Sequence, residues 1–410
     1  MNDAHKIIKE LSKRIVETQK PIRILDAIQL RDDVKNCFFS SNFKKLPQID
    51  AAYYNKNNPL NFDSEKLKDL FFSILSDIEK NLGSNPASNI MQKMCKEYIR
   101  VIDMLKARGT NEFYDISREL YGSSADSFHR NGPNLHDMGE LLDEALKNIN
   151  ESMFYEKDIK NIPTKEAVDI LQKKLNMLFI NDDERVKIIE SDGIVADAAA
   201  GSDYIKLKKD TFFSEWDLRV LESHEGWVHV ATTLNGLSQP VCTFLGKGTP
   251  SATITQEGLA VFTEVVSFSS HPSRLRKIAD RIQAISMAEK GATFFDIFEF
   301  FRSEGRSEED SYTVAARIFR GSMPNGGPFT KDLAYSKGFI LVFNFIRIAV
   351  KKGMLERIPL LFCGKLAIED MGIIAKLHDN GIICPPKYLP PFMNDLKALC
   401  AWMAYSNFLD

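Results

Sequence analysis

Residues 215–233 read EWDLRVLESHEGWVHVATT, and the spacing of the two histidines in this stretch, His224 and His229, decides how the chain is read. The stretch is helical in pattern, and His224-Glu225 followed by His229 makes an H-E-x-x-x-H sequence. The familiar zinc-peptidase signature is H-E-x-x-H, in which the i, i+4 spacing sets both imidazoles on one helix face with the glutamate beside them as general base. Here the spacing is i, i+5, and at about 100° per residue the second ring points roughly 140° away from the first. A π-bulge restores the alignment by taking one extra residue into a turn, and such bulges are frequent at functional sites. Gly226, a poor helix former inside the motif, suits a bulge. The competing reading is a helix that carries two histidines for packing alone.

A cation held by two histidines needs a third protein ligand. TQEGLAVFTE, residues 255–264, places Glu257 and Glu264 seven residues apart on one face of an otherwise apolar helix. A carboxylate in such a position is costly to bury unless it is paired or bound to a cation. The two lie about 10 Å apart along the axis, so a single ion contacts only one of them. Glu257 is the choice for ligand, and Glu264 for the group that orients a ligand histidine or a nearby lysine or arginine. A solvated helix position is the alternative for Glu264. Cys242 lies between the two helices, but with no second cysteine near it a thiolate is a weaker ligand candidate than Glu257.

Working outward, the 410 residues are 44% hydrophobic and 27% charged, which is the composition of a folded protein and excludes disordered, collagenous and coiled-coil chains. Lys and Arg number 53 against 56 Asp and Glu, so no global basic field exists and a nucleic-acid partner is not expected. The six cysteines are scattered without a C-x-x-C pair and read as reduced thiols. The first residues run into a helical pattern without a secretory signal, which leads to the expectation of a cytosolic protein. The most apolar run, GFILVFNFIRIAV at residues 338–350, contains Asn344 and Arg347. It is short of the roughly 20 apolar residues a bilayer requires and reads as a buried helix, with no membrane span expected.

Helices are expected at residues 64–82, 91–108, 141–149, 164–178, 215–233, 255–269, 272–290, 294–303, 308–320, 331–352 and 364–378. In the first of these Leu67, Leu70, Phe71, Ile74, Leu75 and Ile78 form one stripe behind Ser64 as N-cap. Residues 185–208 change texture to short β-rich runs and predict a small sheet, and residues 122–134 and 321–330 read as loops. Trp216, Trp227 and Phe262 read as core, and the remaining histidines, His5, His129, His136, His271 and His378, as structural or exposed. The fold class is therefore α+β and mostly helical. A helical N-terminal region, residues 1–160, precedes a zinc-metallopeptidase-like domain, residues 161–410, with the small sheet beside the H-E-x-x-x-H helix; the two could form one unit. An edge strand at residues 194–198 or 204–207 could align an extended peptide by β-augmentation.

HEGWVH, then NGLSQP (residues 235–240), TQEGLAVFTE, FRG (residues 319–321) and FTKDLAYSKG (residues 329–338) together resemble the family of flavohemoglobin expression-modulating QEGLA motif proteins. That family includes the microtubule-associated tyrosine carboxypeptidases, which remove the C-terminal tyrosine of α-tubulin at an H-E-x-x-x-H zinc site. The motif order matches over about residues 194–338, and the N-terminal part is similar more loosely. The resemblance implies that His224, His229 and Glu257 hold one zinc ion and that Glu225 is the catalytic glutamate. One departure stands out: the family's tyrosine-leucine-arginine-glycine run is here Tyr335-Ser336-Lys337-Gly338, which keeps a positive charge without the guanidinium fork.

Three protein ligands leave a fourth position open to water, with Glu225 as the base. A carboxypeptidase also needs donors for the substrate's terminal carboxylate and for the oxyanion. Arg320, Lys331 and Tyr335, around the loop at residues 321–327, are the candidates, with surface charge or packed phenol as the plainer reading. Asn235 and Gln239 follow the zinc helix and could line the pocket, or serve helix capping and loop structure. The function expected is a zinc carboxypeptidase acting on the C-terminus of a peptide or protein, with preference for an aromatic residue. A regulatory binding protein with a non-catalytic metal site and a non-peptide metallohydrolase are the competing readings.

Overall fold

The computed structural model describes residues 3–128, 132–149, 159–180, 186–192, 198–201 and 203–406. His129 and the candidate edge residues 194–197 lie outside the described residues. The N-terminal part is made of α1 (Asp3–Thr18), α2 (Ile24–Ile28), α3 (Asp32–Ser40), α4 (Ala51–Asn57), α5 (Ser64–Leu82), α6 (Pro86–Lys106), α7 (Asn111–Tyr121) and α8 (Leu135–Lys147). Around α9 (Thr164–Leu178) come β1 (Ile162–Pro163), β2 (Lys187–Ser191), β3 (Ala198–Ala200), β4 (Tyr204–Lys208) and β5 (Phe212–Phe213). Helices then return: α10 (Glu215–Leu221), a π-helical segment Glu222–Val230, α11 (Ala231–Leu237), α12 (Pro250–Val266), α13 (Pro272–Glu289), α14 (Phe294–Ser303) and α15 (Glu308–Phe319). α16 (Ala334–Lys351), α17 (Met371–Asp379) and α18 (Lys397–Ser406) complete the order. The chain is mostly helical with small sheets, as its patterning predicts.

Local chemistry explains the boundaries. Asp63, and not Ser64, caps α5, accepting from the backbone N–H groups of Glu65 and Lys66. Leu67, Phe71, Ile74 and Ile78 are buried on α5, whereas Leu70 is 53% exposed, so the apolar stripe is narrower than expected. The helix expected at residues 364–378 forms only from Met371, after a short 3-10 turn at Ile368–Asp370. Gly364 explains the late start: a Cβ there would lie 2.6 Å from the carbonyl oxygen of Leu245, so this segment is pressed onto another stretch of backbone and cannot coil. Phe262 is fully buried as expected, but Trp216 and Trp227 are only half-buried.

The three-stranded sheet has the order β2-β4-β3, with β2 parallel and β3 antiparallel to β4. Ile205 and Leu207 of β4 face inward and share a core with Leu171 and Leu175 of α9 and with Val230 and Ala231. The sheet thus lies beside the H-E-x-x-x-H segment. The candidate edge at residues 204–207 is corrected: it belongs to the central strand, whose two sides are already taken by β2 and β3.

α12 is the centre of the molecule, with every residue from Ile254 to Glu264 buried. It crosses α16 at a glycine pair. A Cβ on Gly258 would lie 1.9 Å from the carbonyl carbon of Gly338, so only hydrogen side chains let the two backbones meet. The main core draws Ile8, Leu11 and Ile15 of α1 and Phe71 of α5 together with Leu259 and Phe262 of α12, Val342 and Ile346 of α16, and Met403 of α18. Thr330–Lys351 is apolar and long enough to cross a membrane by length and composition, and in this fold it lies along α12 with Val342, Ile346 and Ala349 buried.

Candidate metal centre

The path from α10 into α11 is one continuous helical run whose middle, Glu222–Val230, is wound as a π-helix. This underwinding is what an i, i+5 histidine pair requires: the His224 and His229 rings come to 4.8 Å between centroids. Gly226 makes room for the neighbouring helix, since a Cβ there would lie 2.5 Å from Cδ2 of Leu175 on α9.

α12 brings Glu257 against the pair. Oε2 of Glu257 lies 3.5 Å from Nε2 of His224 and 3.7 Å from Nε2 of His229. One ligand atom from each of the three residues falls within 4.8 Å of the others. Oε1 of Glu257 accepts from Nζ of Lys331 at 3.0 Å, whereas Oε2 is buried and has no hydrogen-bond partner. Such an orphaned oxygen is costly in an apolar interior. Tetrahedral ligands at 2.0–2.1 Å from a zinc ion stand about 3.3–3.4 Å from one another, so the two distances from Oε2 of Glu257 to the imidazole nitrogens are close to what such an ion requires.

The other face of His224 is held just as firmly. Its Nδ1 lies 2.6 Å from Oε1 of Glu264, which is fully buried, and Arg274 grips that carboxylate through Nη2 at 3.0 Å and Nε at 3.2 Å. With Nδ1–H donated to Glu264, Nε2 is the ring nitrogen that faces Glu257 and can give its lone pair to a cation between them once its proton is displaced. Burial works against charge on His224, but the carboxylates of Glu257 and Glu264 prevail and raise its pKa to about 10. Burial likewise opposes ionisation of Glu257 and Glu264. Lys331 and the two histidines hold the first well below the usual carboxylate range, while Arg274 and His224 hold the second at about 2. Each buried carboxylate is matched by one side-chain cation, Glu257 by Lys331 and Glu264 by Arg274, and the proton that the two carboxylates draw onto His224 stands where a metal cation would. Cys242 offers no rival ligand, because it lies in the main core with Val241, Phe244 and Leu245 and is not one of the grouped ligand residues.

Glu225 is half-buried next to His224, and its charge acts on both His224 and Lys365. Tyr335 stacks on His224 at 6.3 Å between ring centroids, and its ring also carries the guanidinium of Arg281 at 4.7 Å. Lys331 is committed to Glu257. Arg320 joins a cluster in which Arg317, Arg320 and Arg281 share Asp332: Nη2 of Arg317 stands 3.1 Å and Nη2 of Arg320 3.4 Å from Oδ1, and Nε of Arg281 3.9 Å from Oδ2. Three guanidinium groups on one carboxylate leave positive charge over, and Nη1 of Arg281 and Nε of Arg320 are buried without a partner.

The structure does not bring Asn235 and Gln239 to this cluster. Asn235 is fully buried, donating to the carbonyls of Phe362 and Tyr388 and accepting from the N–H groups of Lys387 and Tyr388. Gln239 ties the backbone of Cys384 in the same way, so both bracket the C-terminal segment. Lys337, at the position of the family arginine, pairs with Asp126 at 2.7 Å. Arg274, Arg281, Arg317, Asp332 and Lys365 are the neighbours that sequence reasoning missed. For Asp332 a signal existed, since it adjoins Lys331 in a motif already singled out.

The family model described as microtubule-associated tyrosine carboxypeptidase matches residues 36–410, nearly the whole chain. A search of curated proteins returns no match.

Proposed function

Because the chain belongs to the microtubule-associated tyrosine carboxypeptidase family, we propose that it is a zinc-dependent carboxypeptidase that removes a C-terminal tyrosine, or a similar aromatic residue, from a peptide or protein such as α-tubulin. The observation that carries this reading is the buried, unpartnered Oε2 of Glu257 beside the two imidazole Nε2 atoms, a donor set of the two-histidine, one-glutamate kind found in catalytic zinc sites. The chemistry supplied by zinc held there is polarisation of the scissile carbonyl and acidification of water. His224 keeps Nε2 aimed at the ion because Glu264 and Arg274 fix its other nitrogen, and Lys331 fixes Glu257. Glu225 takes the proton of the attacking water and delivers it to the leaving amine.

The substrate's terminal carboxylate falls to the arginine cluster. Arg320 keeps the role its sequence position suggests, Arg281 joins it, and Lys331 serves Glu257. A carboxylate received by the two unpartnered guanidinium nitrogens would offset the surplus charge that Asp332 leaves. Tyr335, in ring contact with both His224 and Arg281, stands beside the path between metal and carboxylate.

The test is metal analysis of purified wild type and His224→Ala together with a mass-spectrometric screen of peptides with varied C-termini. Near-stoichiometric zinc, lost in the variant, with release of a terminal tyrosine supports the proposal. Zinc without cleavage turns the reading towards a non-peptide hydrolase or a regulatory binding protein, and absence of metal removes the site.

A further inference from the structure

His229 comes from the π-helical segment and Glu257 from α12, and a chain of polar contacts that the proposed reaction does not use spans the two. Gln256, the residue before Glu257, is buried, and its Oε1 accepts from Oγ1 of Thr232 at 2.7 Å and from Nζ of Lys365 at 3.3 Å. The same Nζ donates to the backbone carbonyl of His229 at 3.3 Å. That carbonyl also receives Oγ1 of Thr233 at 2.7 Å. Side-chain donors gather at a helical carbonyl where the hydrogen-bond ladder changes register, and His229 stands one residue before the π-helical segment ends at Val230.

Lys365 is itself held in place. Its N–H donates to the carbonyl of Leu245 at 2.7 Å, and the N–H of Ile368 donates to Oγ1 of Thr255 near the start of α12. Among the described residues no carboxylate pairs with its ammonium group, and burial lowers its pKa to about 8 against the more distant pull of Glu257 and Glu225. Lys365 is half-buried, and an ammonium group drawn partly out of water without an ion-pair partner carries a cost. Its contacts account for it: one hand on the backbone of a ligand histidine, the other on the neighbour of the ligand glutamate.

We propose that Lys365, acting with Gln256, is a positioning residue that ties the backbone of His229 to the residue preceding Glu257 and so sets the spacing between two of the three metal ligands. The inference rests on the reading of His224, His229 and Glu257 as a metal site. It concerns how the protein shapes that site and leaves the proton-transfer role with Glu225.

The experiment compares wild type, Lys365→Met, Lys365→Arg and Gln256→Met. Zinc affinity is measured by competition with a chromophoric chelator, the visible spectrum is recorded with cobalt(II) in place of zinc, and the metal-free proteins are melted thermally. Lys365→Met and Gln256→Met should bind zinc about 10–100-fold more weakly, the range found when groups that orient metal ligands are removed. Their cobalt bands should shift while the metal-free melting temperatures stay close to wild type, and Lys365→Arg, which keeps the donors, should recover affinity. Wild-type affinity and spectrum in both methionine variants would overturn the proposal. Should Lys365→Met fail to fold, Gln256→Met, which leaves the ammonium group in place, decides the matter alone. Failure of the wild type to take up metal would instead overturn the site on which the inference stands, a different result from tight binding that the variants leave unchanged.

Discussion

Nδ1 of His224 lies 2.6 Å from Oε1 of the fully buried Glu264, and the same carboxylate is gripped by Arg274. One buried anion therefore fixes the orientation of a ligand imidazole and neutralises a half-buried guanidinium. Glu264→Gln keeps the shape but leaves both partners short of charge. Zinc affinity should fall about 10–100-fold, and urea unfolding should show a loss of about 3–5 kcal/mol, the cost of stranding one member of a buried pair. Unchanged affinity would show that the carboxylate does not govern the histidine.

Gly258 and Gly338 make the second structural demand on the site, because Glu257 reaches the histidines only where α12 and α16 touch backbone to backbone. Gly258→Ala forces the two helices apart. We expect at least about 1–3 kcal/mol of destabilisation, as in overpacked cores, together with weakened metal binding. Thermal melting and zinc titration read the two effects, and a wild-type melting temperature would contradict the close crossing.

Much of this was open to reading from the residues alone. An i, i+5 histidine pair can face one ion only if the helix is underwound, and the π-helical segment Glu222–Val230 is that underwinding. Glu257 stands out because a carboxylate on an apolar helix demands a partner. Arg274 and Arg281 do not stand out, since charges on α13 read as a solvated face until packing brings one to Glu264 and the other towards Asp332. Lys365 sits where the pattern suggests the start of a helix, and what prevents that helix is a contact with Leu245, more than a hundred residues earlier in the chain. The placing of β4 between two partners is likewise a matter of pairing, which strand patterns do not disclose.

Asp332 gives the fold a pH dependence. Burial opposes its ionisation, but Arg317, followed by Arg281 and Arg320, holds its carboxyl far below the ordinary value of 3.8. A carboxylate depressed in this way contributes stability that is fully present above the unfolded value and is lost as pH falls below it. The urea midpoint of the wild type should therefore drop below about pH 4. Asp332→Asn should be less stable by about 3–5 kcal/mol at pH 7, with a flatter midpoint across the acid range. Parallel pH profiles for the two proteins would show that the cluster contributes nothing.

Arg281 should matter for the free acid alone. Wild type is expected to process a peptide ending in tyrosine at least about 100-fold better than the matching C-terminal amide, the scale of a charge-assisted clamp worth roughly 3 kcal/mol. Arg281→Gln should lose most of that preference through the free-acid substrate, with little change for the amide. Retention of the full preference, measured as the ratio of kcat/KM values, would move the carboxylate site elsewhere.

The most direct test of the account is a side-by-side measurement of bound zinc and of tyrosine release from a tyrosine-ending peptide for wild type and Glu225→Gln. Equal, near-stoichiometric zinc in both proteins, with release in the wild type reduced by several orders of magnitude in the variant, is the predicted result. Equal zinc with undiminished release in Glu225→Gln would contradict the assignment of Glu225 as the base on which the proposed reaction depends.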